Sequence, residues 1–87
     1  LLRDQLEVKQ ECFARPNPFI PSRHPDGVRF AANDGQAVEI FDTRGNLVRS
    51  LTTSHTWDGR DSRGQACEAG LYLWTIDRNC RGTIVVV

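Results

Sequence analysis

"VRFAANDGQAVEIFDTRGNLVRSL", residues 28 to 51, alternates wherever it is not turning. Val28 and Phe30 flank Arg29, Val38 and Ile40 flank Glu39, and Leu47 to Leu51 is a third short run of strand-forming character. Alternation of this kind puts every second side chain on one face, as a strand with one face in a core requires. Asn33-Asp34-Gly35 between the first two runs has the residue types of a tight hairpin, since Asn and Gly tolerate the positive φ such turns need. Asp42-Thr43-Arg44-Gly45-Asn46 then places Asp first and Gly three residues on. The Asp side chain bonds the backbone ahead of it, and Gly45 takes the left-handed position.

The same grammar extends in both directions. Leu71 to Ile76 and Thr83 to Val87 are further strand-like runs, and Leu6 to Cys12, with Leu6, Val8 and Cys12 at even spacing, reads as the first strand. Leu6 to Cys12 is the one segment whose composition could suit a helix, and its even spacing favours the strand. The turn formula returns at Asp61-Ser62-Arg63-Gly64-Gln65 and at Asn79-Cys80-Arg81-Gly82-Thr83. The strands between these turns share nothing, so the likeness is one of turn chemistry rather than a duplicated unit. About seven short strands in 87 residues predict an all-β fold, an immunoglobulin-like antiparallel β-sandwich. The expected core is Val8, Val28, Phe30, Val38, Ile40, Leu47, Leu51, Trp57, Leu71, Leu73, Ile84 and Val86. The antibody order of Cys, Trp, Cys is absent.

Composition narrows function. Eleven basic and eleven acidic residues cancel, so no net field draws nucleic acid or an anionic membrane, and no apolar run is long enough for membrane insertion. The expected partners are proteins. The sequence begins at Leu1 with no signal peptide at its start and reads as part of a longer polypeptide, residues 1 to 7 being a linker or the start of the first strand and 8 to 87 the domain.

Asp58, Asp61 and Glu68 are the one acidic cluster with the oxygen chemistry of a calcium loop. Their spacing is not that of a helix-loop-helix site, and Arg60 and Arg63 among them repel a cation. As paired carboxylates for glycoside hydrolysis they lack an enclosing pocket. His24 and His55 lie far apart in polar loops, with no nucleophile in context. No catalytic residue, metal or cofactor is expected, and the chain is read as a non-enzyme. Cys12, Cys67 and Cys80 lack C-x-x-C spacing for zinc and allow one disulfide with a leftover thiol, or none.

A set of motifs narrows the reading further. "RPNPFIPS" (15 to 22), "VRF" (28 to 30), "VEIFDTRGNLVRSL" (38 to 51), "TWDGRDSRGQACEAGLYLW" (56 to 74) and "RGTIVVV" (81 to 87) occur in order. Over residues 8 to 87 the chain resembles the C-terminal sorting domain of type IX secretion cargo, kin to the immunoglobulin-like domain of the flagellar hook-capping protein. The resemblance implies a module at the end of an exported, secreted or cell-surface bacterial protein, recognised by outer-membrane machinery and often removed as cargo is attached to surface lipopolysaccharide. By the resemblance, Pro16, Asn17, Pro18 and Phe19 are the entry motif. Gly45 and Gly64 are turn glycines, Trp57, Asp58, Gly59 and Asp61 the corner, and Gly70 and Tyr72 the next strand's entry. The recognised surface is then Pro16 to Phe19 with Arg81, Ile84, Val85, Val86 and Val87. Sorting tails commonly end in a strand bearing lysines, whereas here Arg81 is the only nearby cation. That departure keeps a second expectation open, a structural module whose terminal strand docks on a neighbour by edge pairing. In such sandwiches the first strand and the turn before the last are often neighbours. Cys12 and Cys80 are therefore the expected disulfide, with three small buried hydrophobes as the alternative.

Overall fold

Burial alternates along Val28–Phe30 and Val38–Phe41, with Arg29 and Glu39 turned outward, which is the pattern of half-buried strands. The computed structural model describes residues 12 to 87. Among these, seven strands follow in chain order: β1 (Ala14–Arg15), β2 (Val28–Phe30), β3 (Val38–Phe41), β4 (Leu47–Leu51), β5 (Thr56–Trp57), β6 (Gly70–Ile76) and β7 (Cys80–Val86). They form two antiparallel sheets, β1-β2-β5 and β4-β3-β6-β7. No helix occurs among the described residues. This is an immunoglobulin-like β-sandwich in which β4 stands beside β3 rather than on the first sheet, where the antibody constant-type arrangement puts it.

The core lies between the sheets, sealed by Trp57, Phe19, Phe30, Ile40, Ile76 and Ile84. Three expected core residues, Leu47, Leu71 and Leu73, are instead exposed. In β6 both alternate sets are apolar, and the pleat admits only one of them inside. The set with more surface to bury, Tyr72, Trp74 and Ile76, faces in, so Leu71 and Leu73 face out. In β4 a register shift beside Ile40 and Phe41 sets Leu47 opposite Phe41 on the outer face, while Leu51 stays inward. Val8 and the rest of the expected first strand up to residue 11 lie outside the described residues.

The turns at Asp42 and Asp61 are the same structure. The Asp42 Oδ1 accepts from the Arg44 and Asn46 N–H groups, both at 2.9 Å, and the Asp61 Oδ1 accepts from Arg63 and Gln65 at 2.9 and 3.0 Å. Gly45 and Gly64 hold φ of 88° and 86°. The third expected turn is displaced. The chain reverses earlier, where the Asn79 N–H donates to the Ile76 carbonyl at 3.0 Å and Asp77 and Arg78 take φ of 53° and 63°, a type I′ pattern that leaves Gly82 inside β7. The Asn33-Asp34-Gly35 turn forms, but it carries the chain from β2 in one sheet to β3 in the other and is no hairpin.

Candidate functional site

The segment after β1 contains prolines at 16, 18 and 21, which lack N–H donors, so it offers few backbone groups to a sheet. Those of Phe19 go to the last strand. The Phe19 N–H donates to the Val85 carbonyl at 2.7 Å, and the Val87 N–H donates to the Phe19 carbonyl at 2.9 Å, a parallel bridge beside β7. The Asn17 side chain adds two bonds, Nδ2 donating to the Thr83 carbonyl and Oδ1 accepting from the Val85 N–H, both at 3.1 Å. From Thr83 to Val87 the outer edge of β7 is therefore closed by its own chain. Over this stretch, edge docking of the terminal strand would have to displace the chain's own crossing segment.

The Phe19 ring is buried, with its centroid 6.2 Å from that of Trp57 and 6.1 Å from His24, which stacks on it. The His24 Nδ1 accepts from the Ile20 N–H at 3.0 Å, so the proton of the neutral ring sits on Nε2. Trp57, also buried, donates its indole N–H to the Arg60 carbonyl at 2.9 Å. The Asp58 Oδ1 accepts from the Arg60 N–H at 2.9 Å and pairs with the Arg49 guanidinium at 3.0 Å, which ties β4 to this corner. Asp58 and Asp61 thus direct their carboxylates at their own turns. Among the described residues no group of three or more His, Cys, Asp or Glu is placed to hold a metal.

The sequence marks Tyr72 only as a strand-entry residue. Its hydroxyl donates to the Glu68 carbonyl at 2.6 Å and its ring meets Trp57 edge-on at 5.7 Å, the tyrosine corner of immunoglobulin-like sandwiches. A tyrosine two residues past Gly70, at the head of an apolar run, was the available signal. Burial pushes the Tyr72 hydroxyl above its ordinary pKa of 10.0. Cys67, half-buried beside it, is a free thiol raised above its ordinary 9.0 by burial first and by the Asp61 charge second. Cys12 and Cys80 are joined in a disulfide.

Phe19, Trp57, Gly59 and Tyr72 come together at one corner, but the expected recognition surface does not survive whole. Phe19, Ile84 and Val86 are core side chains, because β7 alternates and its even positions face inward. Pro18, Arg81, Val85 and Val87 remain exposed, and Pro16 is half-buried.

The fold and this corner define a β-sandwich module whose first crossing segment closes its last strand. No protein-family model matches the chain, and no curated protein matches it. A solved structure is similar to it: a chain described as PorZ, an essential bacterial surface component of the type IX secretion system of Porphyromonas gingivalis, at 26% identity with a TM-score of 0.68. The match covers 87% of this chain and 11% of that one, so the chain spans a small part of that protein's length.

Proposed function

We propose that this chain is a non-catalytic module of a secreted or cell-surface bacterial protein, acting as a type IX secretion sorting and anchoring signal at its C-terminal end. The observation that carries the reading is the likeness to a type IX surface component over 87% of the chain. The Cys12–Cys80 disulfide supports export to an oxidising compartment. A protein partner would read Pro18, Arg81, Val85 and Val87 rather than the buried motif residues. A structural accessory role is the second reading. It is favoured by Arg81 being the one cation on β7, and by the similar domain belonging to a surface component.

The test fuses residues 1 to 87 to the end of a periplasmic reporter in a type IX-competent host. Sorting predicts reporter at the surface or in the medium, and reporter held in the periplasm overturns it in favour of the accessory role. Deleting residues 81 to 87 would remove core side chains Ile84 and Val86 and confuse recognition with unfolding. Arg81→Glu with Val85→Asp changes only outward positions, and sorting predicts that this pair blocks export while the domain stays folded.

A further inference from the structure

The outer face of the four-stranded sheet is apolar where it should meet water. Leu47 (54% exposed), Leu71 (45%), Leu73 (37%) and Val85 (40%) all stand on it. The register joins them: Leu47, Phe41, Leu73 and Thr83 form one rung across β4, β3, β6 and β7, and Leu71 pairs with Val85 on another. On the far side of the first rung, Glu39, Thr75 and Arg81 lie in line across β3, β6 and β7. A shallow depression lies between Phe41, Leu73, Arg81 and Thr83.

We propose that this face takes a second copy of the chain, packed sheet on sheet about a two-fold axis running along β6. Such an axis returns β6 onto itself and exchanges β3 with β7, so each part of the face meets its complement. Leu73 meets Leu73 and Leu71 meets Leu71. Glu39 of each copy faces Arg81 of the other. The angle of roughly 30° between aligned sheets displaces residues least near the axis, where these contacts fall. An isologous contact needs a patch of this self-complementary kind. Among the described residues Glu39 pairs with Arg78, at 4.0 Å, an exposed contact that is easily exchanged.

The apolar patch is on the order of a few hundred Å², short of the roughly 800 Å² per partner of a stable complex. The dimer is therefore weak and reversible. Sedimentation equilibrium on the whole chain, from about 10 μM to about 1 mM, tests it. The expected result is a mass rising from monomer towards dimer, with a dissociation constant on the order of 100 μM. Leu73→Glu, outward-facing and therefore compatible with folding, weakens association at least about tenfold, with near-ultraviolet circular dichroism of Trp57 and Trp74 unchanged. Arg81→Glu also weakens it, and adding Glu39→Arg restores it. A monomer mass throughout overturns the proposal, as do association indifferent to Leu73→Glu and a double charge reversal that rescues nothing.

Discussion

Phe19 Cε2 lies 2.8 Å from where a Cβ on residue 59 would stand, so the Pro-Asn-Pro-Phe crossing and the Trp-Asp-Gly corner fit together only because residue 59 is glycine. Gly59 also holds φ of 83°, a left-handed conformation that costs an L-residue about 1 to 2 kcal/mol. Gly59→Ala adds overpacking against a buried ring, about 1 to 3 kcal/mol more. Gly45→Ala and Gly64→Ala are the controls. Their φ values are similar, but no atom stands within 4 Å of the added methyl, so they lose only the conformational part. Denaturant unfolding of the three variants separates the two effects. Equal losses at 59 and 45 would mean that the Phe19 seat yields.

Gly82 serves a different purpose. Its φ is unremarkable, but an added Cβ would stand 2.5 Å from Trp74 Cζ2, because the indole lies across β7 at this point and donates to the Thr83 carbonyl at 3.1 Å. Gly82→Ala therefore displaces Trp74 rather than straining the backbone. The expected loss is about 2 to 3 kcal/mol in denaturant unfolding, together with a red-shifted tryptophan emission as the indole gains water. Unchanged emission would show that the ring accommodates the methyl.

These two contacts show where the sequence was legible and where it was not. The alternation in β2 and β3 and the Asp-to-Gly turns at 42 and 61 are local, and local chemistry decided them. The inward set of β6 is not local. Leu71 and Leu73 are as apolar as the residues that went inside, and only the volume facing them across the sandwich chose between the two. The turn at Asp77 and Arg78 is not legible because Arg78 stands where a type I′ turn ordinarily has Gly, while Gly82 is there to admit Trp74 rather than to turn the chain. The pairing of the Pro16 to Phe19 crossing with β7 is equally non-local, because that strand lies at the other end of the chain.

Asp42 makes acid stability testable at one side chain. The Asn46 backbone N–H is the largest influence holding its carboxyl below the ordinary 3.8; against it works desolvation, and with it the Arg44 N–H, the Asn46 side chain and the Arg44 charge. A carboxyl whose folded pKa is depressed stabilises the fold above its unfolded value and loses that contribution as pH falls through the folded one, because the unfolded chain binds the proton first. Asp42→Asn keeps an acceptor in the turn but cannot titrate. The stability difference between the native chain and this variant should hold from neutral pH to just above 4, then shrink as the pH falls further. A difference that stays constant to pH 2 would remove Asp42 from the acid response.

The Cys12–Cys80 disulfide closes a loop of sequence separation 68 around nearly every strand. Chain-entropy reasoning puts its contribution at about 4 kcal/mol, through restriction of the unfolded state. Reduction should move the unfolding midpoint to lower denaturant, the shift multiplied by the m-value giving about that free energy, and Cys12→Ser with Cys80→Ser should match the reduced chain. Alkylation in denaturant should label Cys67 alone before reduction and all three cysteines after it. In the folded chain Cys67 should react slowly at pH 8, because its raised pKa leaves little thiolate, and its rate should climb about tenfold per pH unit until that pKa is reached. A Cys67 that alkylates in the folded state as fast as in the unfolded one would show that the Tyr72 corner opens to solvent, and three labelled thiols without reductant would remove the disulfide from the fold.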